Sequence, residues 1–206
     1  MTPLAGIPLL EHTIARARGV ASAEVVIVAT SREPSDDPVA EHCSALGVAV
    51  HRGPLRDVAS RMLQAARAVG AETIARVSAD SPFIDPAIVE RAIGLFEEGG
   101  ADVVTNVRPR SFPVGQSVEV FSANTLEGII GDDRPLAERE HVTTALYANP
   151  DRYVVRNFER TPNLSHLRLV VDTPDDLRRM EALAGLLPEV PTDLPLDEIV
   201  RLAEQL

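Results

Sequence analysis

Residues 74–86 read Ile-Ala-Arg-Val-Ser-Ala-Asp-Ser-Pro-Phe-Ile-Asp-Pro, and the reading of this stretch decides the fold. The apolar run from Thr73 to Val77, bounded by small and polar residues, has the pattern of a buried strand. Asp80-Ser81-Pro82 makes a turn, and Asp85-Pro86 sets a good N-cap before a favoured first helical residue. In an open α/β sheet, ligands gather outside the carboxyl ends of the strands. Asp80 stands at such an end.

Residues 167–177, Leu-Arg-Leu-Val-Val-Asp-Thr-Pro-Asp-Asp-Leu, repeat the arrangement: a strand, an acid, and a helix with Pro at its first position. Thr173 can cap that helix, with Asp176 completing a capping box. The helix terminus thus accounts for Asp175 and Asp176. Asp172 precedes the cap and is left over. The plain reading of Asp80 and Asp172 is a pair of turn acids beside proline. The sharper one is a single hard-cation site, since Mg²⁺ takes one or two carboxylates and fills its shell with water and substrate phosphates.

Composition narrows the chemistry. A chain of 206 residues suits one domain with a full core. It has no apolar stretch long enough to span a membrane, no signal-peptide pattern and a single cysteine, Cys43, so the cytoplasm is the expected compartment. A net charge of −11 argues against nucleic acid as a partner. All 20 basic residues are arginine. Without lysine there is no Walker-type phosphate lysine and no Schiff base, and anions fall to arginine, backbone amides or a metal.

The rest of the chain alternates helix and strand. Helices are expected at Pro8–Val20, around Cys43, at Asp57–Val69 and at Pro86–Glu98. Strands are expected at Glu24–Ala29, Val48–Val50 and Asp102–Asn106. This rhythm predicts an α/β fold with a mostly parallel sheet. After residue 107 it changes. Ser117–Phe121 alternates polar and apolar, as an antiparallel or edge strand does. Helices at about Ala123–Ile130 and Leu136–Ala148 follow, then a strand Tyr153–Phe158, the strand into Asp172, and helices at Thr173–Leu187 and about Leu196–Gln205.

Several further groups invite a role. The segment Ala137-Glu138-Arg139-Glu140-His141-Val142-Thr143 reads either as a solvated helix face or as the rim of an anion site. Asp57 and Arg61 have the spacing of a helical ion pair. Arg108 and Arg110, flanking Pro109, either clamp a phosphate or carboxylate or simply solvate a loop. Cys43 reads as packed. No nucleophile elbow, dinucleotide fingerprint or Cys/His dyad is visible, which leaves hydrolase and dehydrogenase readings without support.

Five segments in order, 4–12 (Leu-Ala-Gly-Ile-Pro-Leu-Leu-Glu-His), 77–86, 117–121, 138–143 and 171–177, together resemble the spore-coat polysaccharide cytidylyltransferase-like family, relatives of the CMP-KDO and CMP-N-acylneuraminate synthetases. The resemblance implies a three-layer αβα fold of the nucleotide-diphospho-sugar transferase (glycosyltransferase-A-like) type. It implies a small antiparallel acceptor-binding or dimerisation insertion at 108–160, with arms such as 116–122 and 153–158 serving as dimer surfaces. It also implies transfer of CMP from CTP to a sugar, often acidic, with release of pyrophosphate. Asp80 and Asp172 would hold Mg²⁺, and Arg139, the third catalytic residue, would orient the acceptor together with Glu140 and His141. Ser78, Asn106, Gln116, Ser117, Glu119, Glu140, His141, Asp57 and Arg61 are the expected substrate contacts, and a homodimer is the expected assembly.

Two departures stand out. The family opens with a strand and a Gly/Arg-rich nucleotide loop, roughly twenty residues by usual element lengths, ahead of the segment at which this chain starts. Without them the expected sheet has a gap or a rearranged order, and a non-catalytic binding or dimerisation module becomes the alternative. Gly115-Gln116-Ser117 also stands where many relatives place an acid, which bears on the acceptor; a phosphonate or polyol phosphate is a further alternative.

Overall fold

The computed structural model describes residues 1–131, 140–187 and 194–206. A short hairpin opens it, β1 (Pro3–Leu4) against β2 (Ile7–Pro8), turning through Ala5 and Gly6 at φ 50° and 80°. Positive φ at both central residues is what a two-residue hairpin turn requires. The hairpin runs into α1 (Leu9–Ala17), and His12 Nε2 lies 2.9 Å from the Leu4 carbonyl oxygen, pinning the two together.

The next unit is β3 (Ile27–Ser31), α2 (Asp37–Ala45) and β4 (Ala49–Gly53), with β3 and β4 paired in parallel as a crossover demands. Cys43 is fully buried under this pair, and burial pushes its thiol up from the ordinary range. Asp57 caps α3 (Val58–Ala68) by accepting the Ser60 amide at 3.0 Å. Then come β5 (Thr73–Arg76) and α4 (Pro86–Glu97), the latter capped by Asp85 as its sequence predicts. The remaining elements are β6 (Val103–Thr105), β7 (Glu119–Ser122), α5 (Ala123–Gly131), α6 (Thr144–Tyr147), β8 (Val155–Asn157), α7 (Pro174–Gly185) and α8 (Leu196–Ala203).

A four-stranded sheet in the order β5-β7-β6-β8 carries the core. β7 runs antiparallel to both neighbours, while β6 and β8 are parallel. Successive strand residues face opposite sides, and the sequence exploits this. Ile74, Val103 and Phe121 pack toward α3 and α5. Val104 and Val120 pack toward α4, α7 and α8, among Ile88, Met180, Leu183 and Ile199. The result is the expected three-layer α/β arrangement.

Three expectations need adjustment. The strand expected to lead into Asp172 makes only a single-residue bridge, Val114 with Arg168, because its amides turn to different partners: Leu169 to Val114 and Val171 to Asp80. Of the helix expected at Leu136–Ala148, positions 136–139 lie outside the described residues, and the helix found beyond them is the short α6. The 116–122 arm expected as a dimer surface is interior: β7 lies between β5 and β6, and Val118, Val120 and Phe121 are fully buried. In the other expected arm, β8 is an edge strand and Val154 is exposed.

β3 and β5 do not belong to one ladder. Among the described residues β3 pairs only with β4 and β5 only with β7, so the sheet is divided between them.

Candidate active site

Asp80 and Asp172 come together through the backbone. The Val171 amide donates to the Asp80 carbonyl at 3.0 Å, and Thr13 on α1 supports the same turn by donating to the Ala79 carbonyl at 3.1 Å. Burial pushes the Asp80 carboxyl above its ordinary range; the neighbouring charge of Asp172 adds to this, and the hydroxyl of Ser81, donating at 3.0 Å, opposes it. Two acids close enough for the charge of one to act on the other are a place a divalent cation could occupy. Among the described residues no three His, Cys, Asp or Glu side chains gather at one point. An ion here would complete its shell with water and substrate oxygens, the habit of Mg²⁺.

Asp172 itself is exposed and held by Arg168, whose Nη2 lies 2.9 Å from Asp172 Oδ2. The same guanidinium forks onto Asp176, with Nε and Nη2 each at 3.0 Å. Asp176 also closes the capping box with Thr173. The Arg168 fork, helped by Thr173, holds the Asp176 carboxyl far below the usual carboxylate range despite burial. The cap predicted from sequence is present; the arginine joining it to Asp172 was not foreseen.

Gly115 makes the crossing that aims these loops. Its φ is 98°, and a Cβ there would lie 2.2 Å from the Leu169 carbonyl oxygen. Only glycine lets the two backbones pass so closely. Beside it, Gln116 is fully buried, accepting the Asp85 amide at 2.9 Å and donating to the Phe83 carbonyl at 2.6 Å. Asn106, also fully buried, donates to the Gln116 carbonyl at 2.7 Å and accepts the Val118 amide at 3.1 Å. These two expected substrate contacts are spent on the backbone: Gln116 holds the loop after Asp80, and Asn106 holds the segment that enters β7.

A pocket of about 170 Å³ opens beside Ser78, lined also by Arg76, Val77, Arg110, Ser117 and Glu119. Arg76 and Glu119 are direct cross-strand partners, 2.7 Å apart. The other Glu119 oxygen accepts the Tyr147 hydroxyl at 2.5 Å, and that hydroxyl also lies 3.2 Å from Thr105 Oγ1. Burial first, then the Glu119 charge, push the Tyr147 phenol well above its ordinary range, so it stays a donor at neutral pH. Arg110 Nη2 donates to Ser117 Oγ at 3.0 Å, and Arg108 stacks on the Tyr147 ring with 4.3 Å from Cζ to the centroid.

Other expected contacts lie elsewhere. Glu140 and His141 are exposed on the approach to α6, and among the described residues no hydrogen bond joins their side chains to the pocket. Arg139 lies outside the described residues. Arg61 donates to the carbonyls of Pro54 and Leu55, its stem crossing Gly53, while Asp57 serves as the α3 cap. Arg76 and Tyr147 were missed by sequence reasoning. Arg76 becomes visible only once β5 is paired with β7.

The three-layer α/β arrangement is that of nucleotidyltransferases of the nucleotide-diphospho-sugar transferase type. The chain belongs to the cytidylyltransferase family, whose family model matches residues 1–206. It is 30% identical to the spore coat polysaccharide biosynthesis protein SpsF of Bacillus subtilis (strain 168), over 92% of this chain and 82% of that one. It is 29% identical to the 3-deoxy-manno-octulosonate cytidylyltransferase of Anaeromyxobacter sp. (strain K), over 89% of each. The structure of a cytidylyltransferase from Leptospira borgpetersenii superposes with a TM-score of 0.92 at 25% identity, covering 98% of this chain and 85% of that chain. No described helix is long and apolar enough to cross a membrane.

Proposed function

We propose that the protein transfers CMP from CTP to a hydroxyl of a small acidic sugar, releasing pyrophosphate, as a cytoplasmic step in surface-polysaccharide biosynthesis. The observation that carries this reading is the Val171–Asp80 tie, which sets two acids together at the end of β5, beside the arginine-lined pocket. Asp80 and Asp172 would hold Mg²⁺, which supplies charge neutralisation as pyrophosphate leaves. Arg76 and Ser78 line the acceptor side, and Arg76 is close enough to influence the Asp80 charge. Glu119, with one oxygen on Arg76 and the other on Tyr147, fixes the pocket wall. The chain's contribution is chiefly orientation: an acceptor hydroxyl held in line with the α-phosphorus.

The test is calorimetric titration of CTP with Mg²⁺, together with a pyrophosphate-release screen across acidic and neutral sugars. Mg²⁺-dependent CTP binding that Asp80→Ala abolishes is expected; full binding by that variant sinks the reading. A second reading is a binding or dimerisation module without turnover, since β3 and β5 lie in separate ladders among the described residues. CTP-dependent pyrophosphate release by the protein excludes it.

A further inference from the structure

We propose that Arg108 and Arg110 form a preorganised clamp for an anionic group, carboxylate or phosphoryl, carried by the acceptor. This rests on reading the 170 Å³ pocket as the acceptor site. The first support is charge. Arg76 is neutralised by Glu119, and both Glu119 oxygens are occupied. Among the described residues no carboxylate lies within ion-pair distance of Arg110, whose guanidinium reaches Ser117 Oγ and, at 3.5 Å, the Pro113 carbonyl; the Glu119 charge acts on it without a direct bond. Burial pushes its guanidinium down from its ordinary range, with the Glu119 charge opposing this. Arg108 stands over the face of the Tyr147 ring, at the other end of which the hydroxyl meets Glu119. Among the described residues its guanidinium pairs with no acid either.

The second support is rigidity, which separates a built site from a solvated loop. Asn157 on β8 accepts the Arg108 amide at 2.9 Å and donates to the Pro109 carbonyl at 3.1 Å. Val107 and Arg110 bridge the loop on itself, and Ser111 anchors its far end by accepting the amide of Arg160. A loop held this way presents its arginines with little ordering left to do on binding. Arg110 on the pocket wall and Arg108 on the Tyr147 ring, beside a single carboxylate already bonded to Arg76 and Tyr147, leave positive charge for the ligand to balance. Arginine's fork suits a planar carboxylate or a phosphoryl face equally.

The experiment uses the full chain labelled with ¹⁵N-arginine, its Nε–H signals assigned through Arg108→Lys and Arg110→Lys. Inorganic phosphate and acetate are the probes, titrated at constant ionic strength against chloride. Saturable shifts of the Arg108 and Arg110 signals are expected, with affinity reduced on the order of tenfold in Arg110→Lys. Asn157→Ala, which keeps both charges, is expected to weaken binding by loosening the loop. Tighter binding of phosphate points to a phosphorylated acceptor and tighter binding of acetate to a sugar acid; either upholds the clamp. Absent shifts, or unchanged affinity in Arg110→Lys, overturn it. Saturating CTP with Mg²⁺ is expected to leave the anion bound; its displacement assigns the arginines to the nucleotide and overturns the acceptor role. A clamp that binds in a chain unable to bind CTP leaves this inference standing while the proposed function fails.

Discussion

The amide of Val171 and the carbonyl of Asp80, 3.0 Å apart, join two loops that are distant in sequence. This bond brings the acids into mutual range without any contact between their side chains. The site is therefore built from main chain and then decorated. A carboxylate can be exchanged for an amide there without dismantling the support.

Asp80→Asn is expected to stabilise the metal-free protein at neutral pH. A carboxyl whose folded pKa is raised favours the fold below its unfolded value, about pH 4, and that contribution is lost as pH rises through the raised value. Thermal denaturation across pH should show the variant ahead of wild type at pH 7 and level with it in acid. A variant less stable at pH 7 contradicts the assignment.

Asp176→Asn should do the reverse. Its depressed pKa makes its contribution present above about pH 4 and lost as pH falls toward the lowered value. Losing the Arg168 fork and weakening the cap should cost about 1–3 kcal/mol at pH 7, read by urea titration. The gap to wild type should close below pH 4.

Glu119→Gln leaves Arg76 without its counter-charge inside the sheet. We expect a loss of about 1.5–3 kcal/mol and weaker acceptor binding, with CTP binding retained. Replacing both partners by methionine should recover part of the stability. A double variant as unstable as the sum of the singles indicates that the pair is not coupled.

Gly115→Ala tests the crossing under Leu169. Positive φ and the Leu169 carbonyl together should cost more than about 1 kcal/mol, and the loops carrying Asp80 and Asp172 should loosen with it. Faster amide exchange at Leu169 and Val171 is the measurement. Unchanged exchange contradicts the role given to this glycine.

Local chemistry made much of the fold legible. Asp85-Pro86 and Thr173-Pro174 announce their helices through capping groups the structure retains. The strand-end position of Asp80 follows from one apolar run. What stayed hidden depends on pairing. Arg76 reads as an ordinary strand residue until β7 lies beside it and supplies Glu119. Gln116 and Asn106 have the residue types of ligand contacts, yet burial gives their amides to the backbone, and burial is not a property of residue type. Leu167–Val171 has the composition of a strand, but a crossing at Gly115 takes its amides one at a time.

Arg168 gives the resting molecule a preference about order of arrival. One arm of the acid pair is already matched by a guanidinium that a second carboxylate keeps in place. On the proposed reading, a bare magnesium ion reaching the pair would compete with that resident cation, whereas one already carried on a triphosphate would bring its own ligands and need less from the protein. Ion and nucleotide would then enter as one cargo. Arg168→Met should let the ion lodge alone.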